Sequence, residues 1–585
     1  MPTDDKVKGE CGDELTRLNA NLARIESLSA RLAAALAHKR QIRPSLQGPN
    51  PELYQKTAAA FMGQMMANPA KLMEQQITFW GDILRAASEE PDPDTAPDRR
   101  FQNPLWQINP YFKAVKAQYQ AAEKATRRAI ESLDGLDPED RERAEYFTQQ
   151  IIDMFAPTNF LATNPEAMAR AVETEGQSLV DGLENMVRDL EAHNGELLVS
   201  LADMNAFEVG KNIATSDGRV VFKNRMLELI QYAPRTEKVY KTPLIIFPPW
   251  INKFYVLDLK EKNSLIRWIT DQGFTLFVVS WVNPDASYAD VGIDTYIEEG
   301  FLTAIDQARK ICGVKQVNVT GYCIGGTTLS LTLSLMQKRG DTSVKSATFF
   351  TTLTDFSDPG EVGMFLNNDF VDGIAEEVAE TGILDSLYMA RTFSYLRAND
   401  LVYGPAVKSY LLGEAPPAFD LLYWNGDGTN LPGRMAIEYL RMLCQQNRFA
   451  SDGISILDET LKVSDVKVPL CAIACETDHI APWKSSYAGI RAMGSKDKTF
   501  ILSQSGHIAG IVNPPSKKKY GHYTNDIWPE TADEWQAGSQ FHDGSWWPRW
   551  GEWLAGKSGA RIAARALDET LPPAPGSYVK AARTK

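Results

Sequence analysis

The chain has 585 residues, well past the size at which one hydrophobic core stops growing, so more than one domain is expected. Its composition, 44% hydrophobic and 23% charged, is that of a globular protein, and a formal net charge of −14 repels phosphate backbones, which argues against a nucleic-acid partner. No run approaches the length of an apolar membrane span, the polar N-terminal stretch lacks the apolar core of a secretory signal, and six cysteines in so long a chain do not resemble a disulfide framework. A reducing cytoplasm is the expected compartment, in which a cysteine in a special context is a candidate nucleophile.

Taken in chain order, residues 13–37 predict a helix, with Leu15, Leu18, Leu22, Ile25, Leu32 and Leu36 on one stripe and a break from Pro44 onward. That stripe suits packing within its own domain, or docking on a partner or an apolar surface. A Pro/Asp-rich break at 89–100 is followed by helical patterns to about residue 195. An all-helical domain over 1–204 is therefore expected. Near residue 205 short apolar runs begin to alternate with helices, at 243–250, 275–281, 316–322, 346–353, 469–476 and 498–505. Continuous apolar strands separated by helices predict a mostly parallel sheet covered on both faces. The expected α/β domain spans 205–585, with a helical cap insertion at about 354–465 and a Trp-rich end that packs on the body.

The sharpest motif is Gly321-Tyr322-Cys323-Ile324-Gly325-Gly326, placed between a strand and a helix. This is the context of a G-x-S-x-G nucleophile elbow, with cysteine in the serine position. Glycines are required because the turn is too tight for neighbouring side chains. The helix N-terminus behind Cys323 offers backbone N–H groups to an oxyanion. An acid and then a histidine should follow in the sequence. Asp478 directly follows the strand-like 469–476, and His507 directly follows 498–505. His479 competes as the base, but its neighbour Asp478 would point away from it in an extended loop, so a supporting role suits it better. Oxyanion stabilisation is expected from the Ile324 amide and from Trp250 or Ile251, in a loop stiffened by Pro248 and Pro249. No metal is expected: Cys471 and Cys475, four apart on a strand, would lie about 13 Å apart, too far to share an ion.

Cysteine elbows also occur in dienelactone hydrolases, which are much smaller. The segments RRFQNPLWQINPYF (99–112), PPWINKFYVLDL (248–259), TNLPGRM (429–435) and SGHIAGIVNPP (505–515) together resemble polyhydroxyalkanoate synthase, over about residues 95–560. The length and the elbow look like the class I type. The resemblance implies an α/β-hydrolase-type fold and polymerisation of (R)-3-hydroxyacyl-CoA, such as (R)-3-hydroxybutyryl-CoA, with no cofactor. It implies Cys323, Asp478 and His507 as the catalytic residues, Asp258 as an assisting carboxylate, and Arg397 as a contact to CoA. A homodimer at the surface of polymer granules is implied as well. A thiol suits this chemistry, because a thiolate attacking an acyl-CoA makes another thioester and keeps the acyl group activated. The cap is then expected to act as a lid that keeps water off the acyl-enzyme. The rival readings are a Cys-dependent hydrolase and a non-catalytic granule-surface protein.

Overall fold

The computed structural model describes residues 4–37, 51–67, 73–74, 77–82, 98–133 and 135–581. The chain divides into two compact units, Met1–Asp203 with Arg397–Pro417, and Met204–Leu396 with Ala418–Lys585.

The first unit is helical. It contains α1 (Asp4–Ala37), α2 (Pro51–Ala67), α3 (Pro110–Glu131), α4 (Pro138–Met154) and α5 (Gln177–Ala192). Asn109 starts α3 by accepting from the Tyr111 and Phe112 amides, and Asp137 starts α4 by accepting from Asp140, each with proline at the first helical position. Helix α1 begins earlier than residue 13, and its buried face is not the expected stripe. Leu28 packs on Val180 and Val187 of α5, with Leu32 beside it, whereas Leu22, Ile25 and Leu36 are exposed. The burial follows an i, i+4 step from Leu28, and flanking ion pairs from Arg24 to Asp181 and from Arg31 to Glu191 hold that face on α5. The Leu15 and Leu18 side chains, the expected break at Pro44 and most of the Pro/Asp-rich break lie outside the described residues.

Segment 397–417 joins this unit through α5. Asn185 donates to the Ser409 and Glu414 carbonyls at 3.0 and 3.1 Å. The fully buried Asp189 carboxylate accepts from the Tyr410 hydroxyl at 2.8 Å and from Ser200. Gly182 lies where a Cβ would collide with the Tyr410 backbone. The insertion expected at 354–465 is therefore divided between the two units, because these polar anchors claim its middle.

The second unit is built on a ten-stranded sheet. Its strands are β1 (Gly218–Lys223), β2 (Leu227–Tyr232), β3 (Leu244–Phe247), β4 (Leu276–Trp281), β5 (Val317–Tyr322), β6 (Val344–Phe350), β7 (Leu470–Cys475), β8 (Lys498–Ser503), β9 (His522–Thr524) and β10 (Gln540–His542). They lie in the order β1-β2-β4-β3-β5-β6-β7-β8-β9-β10. From β4 through β8 every pairing is parallel, and the pairs at both edges are antiparallel. Strands β3, β4, β5 and β7 are buried along their whole length, which is why they read as mainly apolar runs with only a few buried polar residues such as Asn318, Thr320 and Ser280. The edge strands β9 and β10 carry mixed polar residues and gave no such run.

Helices α6 (Ile324–Lys338) and α7 (Trp547–Lys557) belong to this unit. The Trp-rich end packs Trp546, Trp547 and Trp550 fully inside. Trp550 Nε1 donates to Thr348 Oγ1 at 3.0 Å, while Trp546 and Trp547 donate to the Gly510 and Ile511 carbonyls at 2.7 and 2.8 Å. The indoles thereby fasten the loop after β8 to the sheet.

Candidate active site

The turn from β5 into α6 places Cys323 at φ 53° and ψ −124°, a strained conformation for a residue with a side chain. The strain is held by local crowding. A Cβ on Gly321 would sit 2.5 Å from the Gly326 Cα, and one on Gly325 would sit 2.6 Å from the Phe247 and Pro248 carbonyl oxygens. The Cys323 amide donates to the Phe350 carbonyl at 2.8 Å, and the Cys323 carbonyl accepts from Gly326 at 2.8 Å and Thr327 at 3.1 Å. Cys323 is half-buried, unlike the fully buried Cys471 and Cys475. On Gly326 a Cβ would overlap Thr352 Oγ1. Gly326→Ala is therefore expected to push the elbow off its seat and lower turnover by about a hundredfold, by analogy with other ångström-scale misplacements. Adding Thr352→Ala should restore most of the rate; steady-state kinetics of the single and double variants checks this.

Downstream, the ends of β7 and β8 deliver the other two residues. Asp478 follows the β7 end, and its Oδ1 accepts from the Ile480 and Ala481 amides, both at 2.9 Å. Its Oδ2 accepts from His507 Nδ1 at 2.7 Å. The Cys323 side chain lies near enough to His507 to act on its protonation. With Nδ1 turned to Asp478, Nε2 is the nitrogen left for the sulfur. Burial works against a charged ring, but the Asp478 carboxylate and Cys323 beside it together raise His507 to about 10. The geometry thus joins Cys323, His507 and Asp478 in one chain of contacts at the C-terminal ends of β5, β8 and β7.

The remaining expected residues lie as follows. Ile324 is the first residue of α6. Trp250 is fully buried, its ring against Tyr296 and Tyr439 and its Nε1 donating to Thr328 Oγ1 of α6 at 3.1 Å. The Ile251 carbonyl accepts from Thr429 at 3.1 Å. Gly325 packs closely on the Phe247 and Pro248 backbone, which sets the turn after Cys323 against the end of β3. His479 is half-buried beside Asp478. Asp258 differs from expectation. Its carboxylate accepts from Ser216 Oγ and amide, at 2.6 and 2.9 Å, and from Ser264 Oγ at 2.5 Å. These contacts pin the loops around 216 and 264, and none of them is to Cys323, Asp478 or His507. Burial raises the Asp258 pKa against those three hydrogen bonds. Arg397 belongs to the first unit, where its carbonyl accepts from Asp400 and Leu401. Cys471 and Cys475 are fully buried in β7, and among the described residues no group of three or more His, Cys, Asp or Glu is placed to hold a metal ion.

One residue at the site escaped the sequence reading. Tyr322 stacks on the His507 ring at 5.8 Å between centroids, and its hydroxyl donates to the His507 carbonyl at 3.2 Å. Its place beside Cys323 was visible, but an elbow motif gives no preference for that position.

A mostly parallel sheet, a cysteine on a strand–turn–helix elbow and an acid and a histidine on later strand ends are features of the α/β-hydrolase fold, and a model of that fold matches residues 242–514. A second family model, described as the N-terminus of poly-beta-hydroxybutyrate polymerase (PhaC), matches residues 97–269. The chain is 41% identical over 520 residues to a poly(3-hydroxyalkanoate) polymerase of Methylorubrum extorquens, covering 87% of this chain and 86% of the relative. It is also 41% identical over 530 residues to the poly(3-hydroxyalkanoate) polymerase subunit PhaC of Cupriavidus necator, covering 88% and 89%. The chain belongs to the poly(3-hydroxyalkanoate) polymerase family and is an acyltransferase. Among solved structures, a soluble variant of monoglyceride lipase from Saccharomyces cerevisiae is similar with a TM-score of 0.36 and 11% identity, over 60% of this chain and 98% of that one.

Proposed function

We propose that this protein polymerises (R)-3-hydroxyacyl-CoA, with (R)-3-hydroxybutyryl-CoA as the substrate to try first, and releases CoA through acyl thioesters on Cys323. The observation that carries the reading is the contact chain Cys323–His507–Asp478 in a member of a polymerase family. In the first half-reaction the Cys323 proton passes to His507, and the sulfur attacks the acyl carbonyl. The Ile324 amide, with Trp250 or Ile251, holds the oxyanion. CoA leaves and takes the proton from His507, so the acyl group now sits on the Cys323 sulfur.

In the second half-reaction a 3-hydroxyl attacks that thioester, giving up its proton to a base. An ester bond forms, the carbon–sulfur bond breaks, and the thiol is regenerated. Both Asp478 oxygens are already engaged, Oδ1 by two amides and Oδ2 by His507, which favours His507 as the base. The chemistry asks for no cofactor beyond the thioester. The reading extends to CoA contact by Arg397, a lid role for the cap, a homodimer, and a cytoplasmic enzyme at the granule surface. Among the described residues no helix is long and apolar enough to cross a membrane.

The test is to incubate purified protein with (R)-3-hydroxybutyryl-CoA and record thiol release and turbidity together. Thiol release with insoluble polyester is expected. Thiol release with only soluble 3-hydroxybutyrate would make the protein a hydrolase.

A further inference from the structure

The loop that carries His507 is bounded by two residues that reach sideways. Gln504, before it, donates its amide to the Gly521 carbonyl at 2.9 Å and accepts from the Gly521 amide at its own Oε1 at 3.0 Å. Asn513, after it and fully buried, donates to the Tyr520 carbonyl at 3.0 Å. Tyr520 lies close enough to Ser505, two residues from His507, and to Lys519 to feel both, and the Lys519 Nζ lies 4.8 Å from its ring centroid. Residues 514–521 are thus laid against the His507 turn, at the C-terminal edge of the sheet where α/β sites are built.

The tip of this second loop is Lys517-Lys518-Lys519, the only run of three consecutive lysines or arginines in a chain of net charge −14. All three are exposed, and Lys518 is held in the left-handed region at φ 46°. No carboxylate among the described residues pairs with any of them. Elsewhere on this surface basic residues are commonly paired, as Lys484 is with Asp533 and Lys557 with Asp497. Three unneutralised ammonium groups on a loop anchored to the His507 turn form a local positive field in a chain that is negative overall, and such a field raises the local concentration of an anion.

We infer that Lys517, Lys518 and Lys519 bind the phosphate groups of the acyl-CoA nucleotide and steer that substrate to the Cys323–His507 site. The inference rests on the proposed thioester chemistry, and it concerns the phosphorylated end of the substrate rather than the reacting carbonyl. The loop carries none of the catalytic groups, so its lysines act on capture and leave the chemical step alone.

The experiment compares two thioesters of (R)-3-hydroxybutyrate, one of CoA and one of N-acetylcysteamine, which has no phosphate. With Lys517→Glu/Lys518→Glu/Lys519→Glu, KM for the CoA thioester is expected to rise about tenfold or more, from three lost attractions of ordinary surface strength. Its kcat, and both constants for the N-acetylcysteamine thioester, should stay within about twofold. The Gln triple variant should fall between the two. Raising the salt concentration should raise KM for the CoA thioester with the unsubstituted protein and have little effect with the Glu variant. Equal losses on both thioesters would show that the loop merely supports the His507 turn, and no loss on either would show that it does not meet the substrate; each result overturns the inference. If the unsubstituted protein turns over neither thioester, or Cys323→Ala still turns them over, the parent reading fails instead.

Discussion

Cys323→Ala is expected to lower thiol release from acyl-CoA by about a millionfold, to the background rate, as removal of the nucleophile does in other enzymes with linked catalytic groups. Polymer should vanish with it. The thiol is half-buried at the mouth of the turn, and the elbow is held by backbone contacts from Cys323 to Phe350, Gly326 and Thr327 that alanine retains. Thermal unfolding of the variant should therefore match that of the unsubstituted protein. Stopped-flow detection of free CoA, with turbidity recorded on the same sample, checks the rate. A variant that folds normally and still makes polymer would remove Cys323 from the mechanism.

Asp478→Asn is expected to slow the reaction about ten-thousandfold, by analogy with triads whose carboxylate has been neutralised. The physical cause is specific. The Asp478 carboxylate orients His507 through Nδ1 at 2.7 Å and raises its pKa. An amide has only one acceptor oxygen, and the Ile480 and Ala481 amides already claim one side of Asp478. Whichever way the amide faces, either those two N–H groups or the His507 Nδ1–H loses its partner. The His507 titration should move down from about 10, because burial then acts with less opposition. Ring-carbon NMR of histidine-labelled protein reads that shift, and thiol release reads the rate. An unchanged titration with a lost rate would place the effect of Asp478 elsewhere.

Much of this architecture was legible from residue patterns because the strands that build the site are buried on both faces. Strands β3, β4, β5, β7 and β8 each sit inside an apolar run, and the elbow glycines stand where backbone crowding demands them. The edge strands were not legible. β9 and β10 are three residues each and carry His, Thr and Gln, so neither length nor alternation marks them. The leading helix shows a different limit: several leucine stripes can be drawn around one long helix, and only the partner, here Val180 and Val187, selects the one through Leu28.

At the site the same distinction holds. Cys323, Asp478 and His507 could be singled out because motif order and strand ends are local properties. Their mutual contacts, the stacking of Tyr322 on His507, and the overlap that keeps Gly326 a glycine all depend on chain segments far apart in sequence. The contacts of Asp258 were likewise out of reach of its motif. Its segment reads as part of the site, yet its carboxylate is taken up by Ser216 and Ser264. The division of the cap insertion was hidden too, since it depends on Asn185 and Asp189 reaching segment 397–417.

The most direct test of the central claim is to acid-quench the protein during turnover of (R)-3-hydroxybutyryl-CoA and map covalent adducts by peptide mass spectrometry. One or more 3-hydroxybutyryl units should be found on the peptide containing Cys323, and neutral hydroxylamine should remove them, as it does a thioester. Polymer formed with no adduct on Cys323, or with the adduct on another residue, would contradict the account.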